Sequence, residues 1–424
     1  MYMSMKGIAR AFKGNMGVMI LTSGIWTLAG QLVWPFQSIY ILQLGGTYFH
    51  IGLVTSIGAL SGLIPILYGG YLADTVGRRK IVNTMSFFLS FNALIYAFAQ
   101  DWRWLVAGSV LNSIASGLRQ PSFSSIIDDS TEEEHRAQSY AIWSTVPPLF
   151  GMLSPYLMGV YMEVHGVKEM LRLGYMALFL ASFIASTLRH LYLKETLPET
   201  RSPRFNLLLI SREMVTSIRE TVLALSKPLW VLGGMGLFFG LGAAIGGPFW
   251  ITYATEDVIG LRLSEWGIIT TANVVVGTII GIPLAKIADS RSRLLLLFPS
   301  IMLTPLAIIA FIHSTGFSQT LLVSMIITVL GSMGMSSGQA LFTDQTKPEN
   351  RGRINSLWSV AGTMQAFRVG VSPGSLLGAS GNLIGGYIYQ NVSKPLPLYI
   401  QSGLVAMTAL TAILFLRKSL HAGA

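Results

Sequence analysis

Charged side chains are scarce in this chain, and their positions decide what chemistry is open to it. The segment Gly70-Tyr71-Leu72-Ala73-Asp74-Thr75-Val76-Gly77-Arg78-Arg79-Lys80 sets an acid, two inner glycines and three bases in one short turn between long apolar runs. A weaker copy, Ala285-Lys286-Ile287-Ala288-Asp289-Ser290-Arg291-Ser292-Arg293, stands 215 residues later. Asp74, at the end of an apolar helix, is placed to accept hydrogen bonds from the positive N-terminus of a facing helix. Arg78 is placed to pair with Asp128 or Asp129, with Arg136 close behind in sequence. Contacts of this kind form and break as a latch, and no covalent step follows from them.

The remaining charges narrow the field further. None of the 19 Asp and Glu falls in the middle of an apolar run, and the six histidines lie in loops or at run ends. A proton relay inside a bilayer needs an embedded carboxylate or histidine, and neither is offered. Arg119 and Arg368 do lie inside apolar runs, each about 15 residues in, near or past the midplane at 1.5 Å per residue. An arginine facing a water-filled cavity can grip a carboxylate or phosphate through two bonds. The competing reading is structural: Arg119 bonds helix carbonyls near Pro121, and Arg368 satisfies backbone freed at a helix break. Cysteine is absent, which excludes disulfides and thiol chemistry. With no metal-binding or nucleophile motif either, the chain is not expected to be an enzyme or to hold a cofactor or metal.

The elements that carry these residues read as membrane helices. Of 424 residues 52% are hydrophobic and 11% charged, against about 25% charged in a soluble protein. A helix needs about 20 apolar residues to span a bilayer. That rule gives twelve spans, near 16–41, 51–73, 81–100, 104–127, 137–162, 170–191, 228–254, 265–287, 294–314, 320–343, 353–389 and 396–416. Of the 29 Lys and Arg, 22 fall in terminal or alternate-loop segments on one side. Arg103, Lys168, Arg172, Arg262 and Lys394 fall on the other side, and Arg119 and Arg368 within spans. Bases gather on the cytoplasmic side of membrane proteins, so both termini are expected in the cytoplasm. The net charge of +10 thus reports topology, and no nucleic-acid partner is expected.

The spans divide into residues 1–191, a basic linker at 192–227 and residues 228–424. In the linker, Met214, Ile218, Val222 and Leu225 share one helical face, which fits an amphipathic helix on the membrane surface. The halves are repeats. Pro35-Phe36 and Tyr40 recur as Pro248-Phe249 and Tyr253, and Gly45, Gly52, Gly62 and Asp74 match Gly260, Gly267, Gly277 and Asp289. Asp129, Arg136, Trp143 and Ser144 match Asp344, Arg351, Trp358 and Ser359 at the same offset of 215. The register then slips, and an insertion with a broken helix is expected near Ala366 to Leu377.

The first turn, Gly70-x-x-x-Asp74-x-x-Gly77-Arg78-Arg79, resembles the signature loop between helices 2 and 3 of the major facilitator superfamily. Pro121 through Asp129 to Arg136 is similar to that family's helix 4 to helix 5 passage, and Lys194-Glu195-Thr196-Leu197 to its exit from helix 6. The later copy keeps Asp289 and Arg293, with Ala285 and Ser292 in place of its glycines. The resemblance implies an all-α fold of two pseudo-symmetric six-helix bundles and a cavity lined mainly by helices 1, 4, 7 and 10. It also implies that Asp74 faces span 11. The gate set is then Gly70, Asp74, Gly77, Arg78, Arg79, Asp128, Asp129, Arg136, Asp289, Arg293, Asp344 and Arg351. Cavity candidates are Trp26, Gln37, Tyr40, Asn112, Arg119, Trp250, Gln339 and Arg368. Trp34 and Tyr253 fit the interfacial belt better. Two departures separate the chain from the family's drug–proton antiporters: the helix 4 arginine expected in the region Ser109 to Ala115 is absent, and the helix 5 glycine–proline pattern is degraded.

The expectation is a multi-pass carrier in a prokaryotic-type cytoplasmic membrane, working as a monomer with the lipid bilayer and a small-molecule substrate as its partners. Export of a small amphipathic compound by alternating access is the favoured activity. Uptake or exchange of a small organic anion is the alternative within the class, and a non-transporting membrane sensor or receptor the alternative outside it.

Overall fold

A computed structural model describes residues 13–131, 136–197, 225–290, 293–346 and 376–416. Among these residues all regular structure is helical. We number the helices α1 Gly14–Gln43, α2 Tyr48–Thr75, α3 Arg78–Ala97, α4 Trp102–Asp129, α5 in two segments Arg136–Phe150 and Ser154–His165, and α6 Val167–Tyr192. The second half follows as α7 Lys227–Asp257, α8 Leu263–Ser290, α9 Leu294–Ile312, α10 Phe317–Gln345, α11 Leu376–Asn391 and α12 Leu396–Leu416. Eight of these helices, α1, α2, α6, α7, α8, α9, α10 and α12, are long and apolar enough to cross a membrane by length and composition. The insertion expected in span 11, and most of the linker, lie outside the described residues.

The two halves repeat one packing order. In the first, α1 packs on α6, α6 on α3, α3 on α4 and α4 on α2, with α5 against α1. In the second, α7 packs on α12, α12 on α9, α9 on α10 and α10 on α8, with α11 against α7. Across the seam α2 packs on α11, and α8 on α5. Large apolar side chains such as Phe88, Phe91, Leu180, Ile184, Leu306 and Leu410 are exposed, as lipid contact demands.

Burial of apolar surface gives helices in lipid little drive to associate, so close packing and hydrogen bonds hold them together. Gly52 on α2 and its repeat partner Gly267 on α8 show the first. A Cβ on Gly52 would strike the Asn382 carbonyl of α11, and one on Gly267 the Pro155 carbonyl of α5. Interhelical hydroxyl bonds supply the second, among them Ser154 to the Leu28 carbonyl at 2.8 Å and Ser402 to the Pro305 carbonyl at 2.9 Å.

Proline sets bends in α1 and α7. Lacking an N–H, it breaks the helical ladder. A 3₁₀ turn therefore interrupts α1 at Trp34–Phe36 around Pro35, and α7 at Gly247–Phe249 around Pro248. Past each break a tyrosine anchors the re-aimed segment. Tyr40 donates to the Tyr96 carbonyl at 2.8 Å, and Tyr253 to the Ile312 carbonyl at 2.9 Å, in both cases near the end of the third helix of that half.

Candidate functional site

The charged turn folds around an acid from elsewhere. Gly77 has φ 109°, a region closed to side chains other than hydrogen, and it starts α3 immediately after α2 ends. The first backbone N–H groups of α3 have no partner in their own helix. Glu195, beyond the end of α6, accepts from those of Arg78 and Arg79 at 3.0 and 3.1 Å. A carboxylate at a helix N-terminus also complements the helix dipole. Arg79 donates through Nη2 to the His190 carbonyl at 2.7 Å. The Arg78 guanidinium is bonded to Asp129 at the end of α4, with Asp128 beside it, and lies 3.9 Å from Asp74.

The second half repeats this bond. Arg293 pairs with Asp344, and its Nη1 also donates to the Ala340 carbonyl at 2.5 Å. Both ion pairs brace helices within one half, so neither crosses the seam as a latch between bundles would. Asp74 is 75% exposed, and a Cβ added to Gly70 would meet nothing within 4 Å. No described residue closes on Gly70 in this conformation. The side chains of Arg136, Asp289 and Gln339 are not described, and Arg351 and Arg368 lie outside the described residues.

At the opposite end the halves are sealed together. Tyr48 at the start of α2 donates to Asp257 Oδ1 at 2.7 Å, and Tyr389 of α11 to Asp257 Oδ2 at 2.8 Å. Lys394 pairs with the same carboxylate at 3.1 Å and lies 3.4 Å from the Tyr48 ring centroid. Nearby, Ser38 of α1 donates to the Pro248 carbonyl at 2.7 Å, the Phe49 N–H to Gln390 at 2.8 Å and the Ser264 N–H to Glu163 at 2.7 Å. Each of these three bonds joins one half to the other.

Between the two ends the cavity candidates separate. Tyr40 is wholly buried, tied to Tyr96 and packed on Tyr175, so it belongs to the core of its half. Tyr253 is likewise buried and bonded, which corrects its assignment to an interfacial belt, whereas Trp34 is exposed at its bend. Trp250 is half-buried and donates to Gln401 at 2.9 Å. Gln37 is half-buried and Asn112 exposed. Trp26 and Arg119 come together, the guanidinium 6.0 Å from the indole centroid.

The positional reading missed Arg189, which it grouped with the loop bases. Arg189 is 3% exposed and turns inward. Its Nε donates to Thr22 at 2.9 Å and its Nη1 to Ser86 at 3.2 Å. A signal was present: Ser182, Ser186 and Arg189 on α6, and Asn83, Ser86 and Ser90 on α3, are polar stripes at helical spacing in apolar helices, and all six are buried.

Two braced half-bundles related by an internal repeat, with one end of their seam closed, define a carrier scaffold. The family model of the Major Facilitator Superfamily matches residues 19–364, and the chain belongs to that family. It is 23% identical over 344 residues to an uncharacterized MFS-type transporter, YhjO, of Bacillus subtilis (strain 168), covering 79% of each chain. It is 26% identical over 133 residues to the quinolone resistance protein NorA of Staphylococcus aureus, covering 31% of this chain and 34% of NorA. A solved POT family transporter in complex with 5-aminolevulinic acid superposes with TM-score 0.72, 12% identity and coverage of 95% and 96%. At that identity the likeness speaks for the fold.

Proposed function

We propose that this chain is a secondary transporter that moves a small amphipathic solute across the cytoplasmic membrane by alternating access, with export as its direction. The carrying observation is the bond from Tyr48 to Asp257 across the seam, at the end away from the charged turn. Rocking of two repeats about a central site requires contacts of this kind, made in one state and broken in the other. The concentration of bases around the Arg78 end supports its assignment to the cytoplasm. A path closed at Asp257 would then load from the cytoplasm. Trp26 and Trp250 give aromatic walls for an amphipathic solute, and the partial likeness to NorA supports export. Both halves of the path reside in one chain, which supports function as a monomer.

The test is flux of a panel of amphipathic compounds through proteoliposomes containing the full chain, with and without an imposed pH gradient. Protein-dependent movement of at least one compound, slowed by substitutions at the seam, is the expected result. Uptake indistinguishable from protein-free vesicles for every compound under both conditions would overturn the reading.

A further inference from the structure

Inside the first half, two cations share one hydroxyl and one aromatic ring. Arg119 reaches the Ser86 hydroxyl through Nη1 at 3.5 Å, and Arg189 reaches the same hydroxyl at 3.2 Å. Both guanidinium groups lie over the Phe123 ring, 5.2 and 5.3 Å from its centroid. Arg189 is closed off, whereas Arg119 keeps part of its surface open, as does Trp26 beside it. The Nε of Arg119 has no hydrogen-bond partner among the described residues.

No described residue balances these charges. Among the described residues no carboxylate pairs with either guanidinium, and the two like charges meet at the one Ser86 hydroxyl. Arginine stays protonated in proteins, and burial of an unpaired ion costs several kcal/mol. The cation–π contacts with Phe123 offset part of that cost. The C-terminal dipole of α6 offsets a further, smaller part at Arg189. Two serine and threonine hydroxyls carry no net charge. Among the described residues the cluster therefore carries an excess of positive charge that a carboxylate or phosphate, accepting from both forks, would satisfy.

We propose that Arg119 and Arg189 form the binding site for the acidic head of the transported solute, with Trp26 and Phe123 against its apolar or aromatic body. This rests on the transport reading above and narrows its substrate class to organic anions. Arg119, at the open edge, makes first contact, and Arg189 behind it completes the grip. Arg119 stands ten residues before Asp129, about 15 Å along the helix, so the site is reached from the Arg78 end.

Binding of 1-naphthoate and phenyl phosphate to the purified full chain in neutral detergent tests this, with 1-naphthamide as the uncharged control. Both acids are expected to bind and the amide to bind at least tenfold more weakly. R119Q and R189Q should each lower affinity for the acids tenfold or more, R119K should recover part of it, and exposed R103Q should leave it unchanged. If R189Q does not fold, R119Q and R119K carry the test. Binding of the amide equal to that of the acids, or affinity unchanged in R119Q, overturns the proposal. Adding phosphatidylglycerol to the micelles distinguishes a lipid headgroup: binding of that lipid with none of the soluble acids overturns the solute assignment. Charge-selective binding without flux would fail the transport reading and leave the site standing. Flux of neutral compounds that is indifferent to R119Q would do the reverse.

Discussion

The hydroxyl of Tyr48 in the first half donates to the carboxylate of Asp257 in the second, 2.7 Å away. Tyr389 and Lys394 complete the shell of that carboxylate, whose residue keeps 11% of its side chain exposed. A hydrogen bond to a charged group contributes about 1.5–3 kcal/mol, and of the contacts to Asp257 the one from Tyr48 spans the seam. Tyr48→Phe should therefore shift the balance between the sealed and opened states by roughly ten- to a hundredfold, with little change in folding. The chain has no cysteine, so a single cysteine replacing Ser38 beside the seam reports access directly. Its labelling by a membrane-impermeant maleimide from the sealed side should rise in Tyr48→Phe. Labelling equal to the parent would remove Tyr48 from the seal.

The repeated ion pairs should differ in weight. Arg78 has 15% of its side chain exposed and a second partner in Thr196, while the Arg293–Asp344 pair is 26% and 48% exposed. Arg78→Ala leaves Asp129 without its cation in a part-buried setting and should cost about 1.5–3 kcal/mol. Arg293→Ala breaks a more solvated pair and should cost under about 1 kcal/mol. Thermal unfolding in detergent checks the order, and a larger loss for Arg293→Ala would show that exposure does not govern these pairs.

How far the sequence carried depended on whether a residue had a counterpart to check it. The bond from Arg293 to Asp344 follows from Arg78 and Asp129 by an offset of 215 residues, and the twin breaks at Pro35 and Pro248 follow from their shared proline–phenylalanine step. Asp257 and Lys394 have no such guide, because their partners arrive from helices far apart in the chain. Arg189 was lost for a different reason. A base two residues inside a span end fits the topological pattern, and helix phase alone turns its side chain inward toward Ser86 and Thr22. Tyr40 is placed in the cavity by the family's lining helices and Tyr253 in the belt by its position near a span end, but the hydroxyls of both are consumed by carbonyls of the third helix of their half.

Asp74 separates stability from cycling. At 75% exposure, with Arg78 of its own turn 3.9 Å away, it contributes little in this conformation. Asp74→Asn should alter thermal stability by less than about 0.5 kcal/mol, as surface changes usually do. Transport should nevertheless fall, if Asp74 caps a facing helix N-terminus once the halves close at this end. Flux in proteoliposomes at matched protein content is the measurement, and full flux in Asp74→Asn would sink the capping role.

Gly52 and Gly70 sit on one helix, α2, and should respond in opposite ways to the same added methyl group. At Gly52 a Cβ runs into the Asn382 carbonyl of α11, while at Gly70 it meets open space in this conformation. Overpacking costs about 1–3 kcal/mol, and at Gly52 that cost falls on the sealed state alone. Gly52→Ala should therefore favour the opened state, raising labelling of a cysteine at position 38 from the sealed side. Gly70→Ala adds no clash here, and its cost falls on any state in which another helix closes on that end, so labelling should stay level or drop. Gly267→Ala, placed by the repeat against the Pro155 carbonyl of α5, should behave as Gly52→Ala does. Equal labelling in all three variants would mean that seam packing does not set the balance between states, leaving the bond from Tyr48 to Asp257 to set it.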